Sequence, residues 1–295
     1  LQITTTATSN IGLGSTAVNS ITTGDYNVGL GLSALTNNTT GSQNTAVGES
    51  ALAANTTASH NTGLGSGALA SNTTGHTNTA VGRAALLLNT TGPENVAFGN
   101  FSLDANTTGA SNTGVGAYSL SLNTTGGFNT GIGEAALLSN TTASYNTALG
   151  KDAARGNTTG QKNTAIGQRA MITATTGNEN TCVGREAGSA LTTGSNNLFL
   201  GQNAGDASSP SETQAGSNKI VLGNNNITHA YVKVDWTIQS DQRDKMNFAS
   251  VPHGLSFVNS LQPYKFDFKK ARDDATPHGG TKYGFKAQDV LALEG

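Results

Sequence analysis

The sequence predicts an all-β protein, a β-solenoid of stacked 17-residue coils, and three observations carry that prediction. An asparagine recurs at Asn10, Asn27, Asn44, Asn61, Asn78, Asn95, Asn112, Asn129, Asn146, Asn163, Asn180 and Asn197, always at the same 17-residue step. Each of these residues opens a short segment of apolar and small side chains that closes on glycine. Glycine is abundant (38 of 295 residues) and only 12% of residues are charged, against roughly 25% in an ordinary globular domain.

The period comes first because it decides the fold. A globular domain absorbs length drift in its loops, so 12 units without insertion or deletion imply one geometric coil per unit. A unit reads approximately N-T-A-V-G-x-x-A-L-x-x-N-T-T-G-x-x. The third residue after the asparagine is always apolar, from Leu13, Leu30 and Val47 to Val183 and Leu200. The first is β-branched or apolar, from Ile11 and Val28 to Leu198. Positions two apart share one face of a strand, so these rows form one face and the Gly or Ala between them forms the other. A second apolar row follows at Leu35, Leu52, Leu69, Leu86, Leu103, Leu120 and Leu137. The Asn-Thr-Thr-Gly segment then supplies turn chemistry. Pieces such as Ala85-Leu-Leu-Leu-Asn89 are too short for a stable helix, which leaves strands and turns.

A single coil cannot bury an apolar row, so stability has to come from stacked neighbours. At ~4.8 Å per rung the 12 coils make a rod roughly 58 Å long. The Val and Leu rows exceed what one thin coil buries, and the small residues opposite would let other chains approach closely. A homotrimer is therefore expected, with the chain itself as the first partner.

The period breaks after Gly201. Residues 202–217 read as loop, Asn218-Lys-Ile-Val-Leu-Gly223 as a last coil with about five extra residues before it, and Ala230–Ile238 as a strand leaving the rod. The expected organisation is a solenoid shaft over 1–201, a loop, last coil and exit strand over 202–239, and a small α+β segment over 240–295.

Composition excludes several functions. A net charge of −2 gives no electrostatic case for nucleic acid or an anionic membrane. Cys182 stands alone, so there is no internal disulfide framework, and its place between apolar rows makes it a substitute for Ala or Gly. No apolar run approaches the roughly 18 residues of a membrane span. The chain opens at Leu1 without a Met or a signal-like segment, which leads to the expectation of a fragment. His60, His76, His229, His253 and His278 share no ligand spacing, and neither metal nor cofactor is expected. Asn-Thr-Thr at Asn38, Asn55, Asn72, Asn89, Asn106, Asn123, Asn140 and Asn157 is formally a glycosylation sequon, but a stacked turn ladder explains it better. There is no phosphate loop, and no paired carboxylates are placed for a glycosidase cleft, so the shaft is not expected to be an enzyme.

The charge pattern changes at Ser240-Asp241-Gln242-Arg243-Asp244-Lys245, and Tyr283-Gly284-Phe285-Lys286-Ala287-Gln288-Asp289-Val290 follows about 40 residues later. Taken alone, the first stretch reads as a charged turn or a helix cap with Ser240 as N-cap. The pair together resembles the peptidase S74 family, the intramolecular chaperone at the C-termini of phage tail fibres, tailspikes and endosialidases. Its motifs are S-D-x-R-x-K and a segment close to G-F-x-A-Q-[DE]-V. The stretch Val251–Phe268 looks most like the cyanophage versions. The shaft coils in turn resemble the left-handed β-roll of trimeric autotransporter heads, whose coils are a little shorter.

The S74 resemblance implies a Ser–Lys self-cleavage with Ser240 as nucleophile and Lys245 as base, cutting at Gln239-Ser240, with Ser240-Asp241 as the second choice. Asp241, Arg243, Gly284, Phe285, Ala287 and Gln288 carry the chaperone motifs. The family continues with further helices, so 240–295 is expected to be a partial chaperone. The expected function is a structural fibre or spike of a virion, trimerised and matured by this segment, with at most one turnover of a self-cleaving endopeptidase. Expected partners are tail or baseplate proteins and a host-surface receptor or glycan, at the extracellular face of a virion. Two alternatives stay open: a bacterial cell-surface trimeric adhesin or extracellular filament, and a tailspike depolymerase.

Overall fold

The computed structural model describes residues 7–206, 215–231, 260–271 and 274–286. The chain divides into two compact units, Leu1–Asn224 and Asn225–Gly295.

The first unit is the β-solenoid that the repeat predicts. Its strands are three residues long, from β1 (Ile11–Leu13) to β12 (Leu198–Leu200), followed by β13 (Ile220–Leu222). They form one 13-stranded sheet in chain order. Every pair is parallel, and up to β12 the partners are equivalent residues of successive coils, as in Ile11↔Val28 and Thr164↔Thr181. The last step, Leu198↔Ile220, is longer because an insertion precedes β13. Pairing between rungs continues outside the strands. Leu35 N–H donates to Ala51 O at 3.0 Å and Thr39 N–H to Thr56 O at 2.9 Å, so backbone groups in the turns are satisfied by the next coil.

Three positions of each coil turn the chain in the left-handed region, and in most coils ordinary residues occupy all three. In one coil they are Tyr118 (φ 59°), Leu120 (φ 53°) and Phe128 (φ 59°). Such a conformation costs an L-residue about 1–2 kcal/mol. Repeated rung hydrogen bonds and burial of the leucine offset it. The glycine that closes each strand has a stricter reason. A Cβ on Gly116 (φ +126°) would lie 2.6 Å from the carbonyl carbon of Gly133 in the next rung, so only glycine fits.

One expectation is overturned. The Val and Leu rows of the strands do not face the core, and the small residues between them are not the outer face. Ala46, Ala80, Ala97, Ala148 and Ala165 are fully buried, while Leu13, Val47, Phe98, Ile132 and Leu149 are exposed. The interior is filled instead by the second apolar row, Leu35 to Leu137, which is buried as its hydrophobicity requires. The physical reason is the thinness of the coil. The strand's inner side chain meets the leucine of the opposite wall, and a Cβ added to Gly63 would touch Leu52 Cγ at 3.5 Å. Only one of the two can be large.

The top of the shaft shows the same rule with its sizes exchanged. At β12 the inner strand residue is Phe199, fully buried, and the positions that hold leucine elsewhere are Gly188 and Gly205. A Cβ on Gly205 would lie 2.7 Å from the Phe199 ring. Cys182, one rung earlier, takes the alanine position as expected. Burial pushes its thiol pKa up to about 12, so it is an inert core group and not a reactive thiol.

In the second unit β14 (Tyr264–Ala271) and β15 (Asp274–Gly284) pair antiparallel, with irregularities between Phe266 and Phe268 and between Lys269 and Ala271. This hairpin is the paired structure among the described residues of 240–295. Residues 232–238 of the expected exit strand lie outside the described residues. Among the described residues no helix is long and apolar enough to cross a membrane.

Candidate functional site

The predicted reactive groups Ser240 and Lys245 lie outside the described residues, as do Gln239, Asp241, Arg243, Ala287 and Gln288. The structure places the first four residues of the second motif, Tyr283 to Lys286. Gly284 ends β15 opposite Tyr264, and Phe285 follows it exposed. A Cβ on Gly284 would sit 3.3 Å from Phe266 Cε1, so glycine lets the strand end close on the aromatic row of β14. The next residue reaches back across the hairpin, with Lys286 Nζ 3.9 Å from the Tyr264 ring centroid, a cation–π contact. The motif Tyr-Gly-Phe-Lys is thus the end of one strand packed on the start of its partner.

The shaft has a polar inner frame and an outer surface with separate chemistry. Two buried asparagine ladders run along the inside. In the first, Asn27 Nδ2 donates to Gly41 O at 2.9 Å, and the amide N–H of Asn44 donates to Asn27 Oδ1 at 3.0 Å. In the second, Asn38 Nδ2 donates to the same Gly41 O at 2.8 Å, and Asn55 Nδ2 to Asn38 Oδ1 at 2.8 Å. In the eight coils where both run, the two ladders meet on one carbonyl, as Asn95 and Asn106 do on Gly109 O. The sequon asparagines from Asn38 to Asn157 are all buried in the second ladder, which supports the turn-ladder reading and leaves their amides inaccessible to sugar transfer. That ladder stops where Ala174 replaces asparagine, and Asn157 Oδ1 is left buried without a partner.

Outside, the strand rows carry no charge from Ile11 to Leu222. Charges stand on the corners and pair from rung to rung: Lys151 with Glu134 at 2.9 Å, Lys162 with Glu179 at 3.4 Å and Arg169 with Glu186 at 3.2 Å. These pairs are solvated and contribute little stability. Two aromatic stacks lie on the same corners. Phe101 and Tyr118 are 5.5 Å apart at 16°, and Phe128 and Tyr145 are 5.1 Å apart at 1°. Sequence reasoning missed these stacks. Their signal was present, since each pair occupies one and the same repeat position in successive coils.

A parallel β-solenoid with a polar inner frame and an uncharged strand face defines the class: a repetitive, shaft-forming protein. Residues 240–293 match the peptidase S74 family model, described as the chaperone of endosialidase. No curated protein and no solved structure matches the chain. Solenoid and chaperone region together fit a fibre or endosialidase-type protein.

Proposed function

We propose that the chain is the shaft of a homotrimeric virion fibre, displayed for host attachment and completed by a self-cleaving C-terminal chaperone. The observation that carries this reading is the chaperone-of-endosialidase match at 240–293, C-terminal to a solenoid whose first twelve strands keep a constant 17-residue step.

The outer strand face supports the trimer. It is apolar or threonine-bearing along all 13 strands, and Phe98 is 56% exposed on it. Thirteen rungs of ~4.8 Å and a three-residue width near ~10 Å make a strip of ~600 Å². Two neighbours around a three-fold axis would bring this to a substantial specific interface. A partner must match a ridge at every rung, and a second copy of this chain has that spacing. In a closed ring the first row of one copy meets the third-position row of the next, a heterologous contact that closes on itself.

The reaction assigned to the junction is internal acyl transfer. Lys245 in its neutral form takes the proton of the Ser240 hydroxyl, the role a base must fill to make a serine nucleophilic. Ser240 Oγ attacks the Gln239 carbonyl, the peptide C–N bond breaks, and the freed amine takes up the proton. Water then hydrolyses the Gln239 ester and releases the chaperone. Loss of the template leaves the shaft kinetically trapped.

Mass spectrometry of the native gene product beside its Ser240→Ala and Lys245→Ala variants tests this. A fragment beginning at Ser240 is expected from the native protein and from neither variant. Equal masses in all three would remove the protease assignment, and light scattering that reports a monomer would remove the trimer. A fibre requires no catalytic cleft in the shaft, whereas the depolymerase alternative does.

A further inference from the structure

We propose that the shaft carries a binding notch for a neutral hexopyranose unit of a surface polysaccharide, built where an aromatic stack stops one rung short. The proposal deepens the attachment reading above and rests on it for its biological meaning.

The notch is a break in the repeat. The sixth residue after the asparagine is Phe101 in one coil, Tyr118 in the next, then Ala135 and Asp152. Arg83 Cζ lies 4.9 Å over the Phe101 ring, and Phe101 stacks on Tyr118. The column therefore runs guanidinium, ring, ring and then a methyl. At Ala135 the place of a third ring is open, and an open cavity of about 380 Å³ lies there, bordered by Tyr118, Glu134, Ala135, Leu138, Lys151, Asp152 and Arg155. Tyr118 is 45% exposed. From the level of Tyr118 to that of Asp152 is two rungs, ~9.6 Å, enough for one flat ring in stacking contact.

The lining names the ligand. A pyranose presents a C–H face of positive character, which suits the negative face of the Tyr118 ring. Its hydroxyl edge needs donors and acceptors together. Lys151 and Glu134 are paired at 2.9 Å, and Arg155 and Asp152 at 3.5 Å. Each pair offers both kinds of group to adjacent hydroxyls, and Asp152 is already held with its side chain only 16% exposed. Two cations and two anions sum to zero, so nothing favours a charged sugar. An aromatic ligand would stack equally well but would leave four charged groups without hydroxyl partners. A convergent set of polar groups beside one aromatic wall is the usual make-up of a small-ligand site. No lining residue belongs to the strand rows assigned to the trimer contact.

Saturation-transfer NMR on the full chain tests the notch, with methyl glucoside, methyl galactoside and methyl mannoside as probes. At least one is expected to receive saturation, strongest on one face of its ring. Tyr118→Ala should abolish the signal. Ala135→Phe should abolish it as well, by completing the stack; the same repeat position already accepts Phe101 and Tyr118 at the same backbone φ, so the variant should fold. Phe128→Ala, on the other stack, should leave the signal intact. Absence of transfer from all three sugars, or transfer unchanged in both notch variants, overturns the proposal. Adsorption of the protein to host cells is read in parallel. Adsorption without hexoside binding sinks the notch and keeps the attachment reading, whereas hexoside binding without adsorption does the reverse.

Discussion

Replacing Asn95 by alanine is expected to destabilise the shaft by roughly 3 kcal/mol, because it opens a buried polar frame from inside. Asn95 Nδ2 donates to Gly109 O at 2.9 Å, and Asn95 Oδ1 accepts the Asn112 amide N–H at 3.0 Å. Gly109 O keeps a second donor, Asn106 Nδ2 at 2.9 Å. The Asn112 N–H keeps none from this set and sits at a position with no access to water. An orphaned buried donor carries its full desolvation cost, about 1–3 kcal/mol, and the lost amide packing adds to it. Chemical denaturation gives the size. Hydrogen exchange gives the place, since the Asn112 amide should exchange faster while rungs several coils away stay protected. An unchanged midpoint would mean that the ladder does not bear on stability.

The second large effect concerns the exchange of sizes at the top of the shaft. Phe199→Ala is expected to cost about 3–5 kcal/mol, the usual loss for a buried aromatic ring. Gly205→Leu alone is also expected to destabilise, by about 1–3 kcal/mol or more, because the new side chain enters the space of a ring 2.7 Å from its Cβ. The double variant relieves that clash by placing the new leucine beside a small strand residue in the same coil, the size combination that the middle coils use between neighbouring coils. Residues such as Leu120 hold that corner at φ 53°, and Gly205 is already at φ 71°, so the backbone accepts the change. The double variant should therefore lie well above the sum of the single losses, with a coupling of at least about 1 kcal/mol in a double-mutant cycle. Additive losses would show that the two walls do not share one volume.

These cases separate what the sequence made legible from what it did not. The rung register was readable because Asn10 to Asn197 admits no insertion, and a constant period leaves one way to stack coils. Strand alternation showed that Val47 and Thr45 share a face opposite Ala46. It did not show which face is inside, because that depends on the width of the coil and on Leu52 filling the interior from the other wall. The corners were hidden for a different reason. Leu120 and Tyr118 carry no glycine or asparagine signature, so their left-handed backbone follows from the closure of the coil alone. The asparagine turn ladder was readable as a repeat, and its sharing of one carbonyl with a second ladder required the fold. At the candidate site, Gly284 and Phe285 were legible by motif and fall at a strand end, whereas Ser240 and Lys245 rest on the family match at 240–293. The notch at Ala135 appears in the sequence only as one small residue in a column of rings.

The central claim is that successive 17-residue units stand directly above one another. It is tested most directly by cross-linking Thr130→Cys with Thr147→Cys in a Cys182→Ala background. These residues are register partners on the outer face of neighbouring rungs. Facing residues on adjacent strands lie within the Cα separation that a disulfide spans, about 4.4–6.8 Å. Mild oxidation should close an intrachain bond nearly completely, as mapped by non-reducing peptide mass spectrometry, while Thr130→Cys with Thr164→Cys, two rungs apart, should stay reduced within the chain. Closure of the two-rung pair, or failure of the adjacent one, would contradict the stacked 17-residue register.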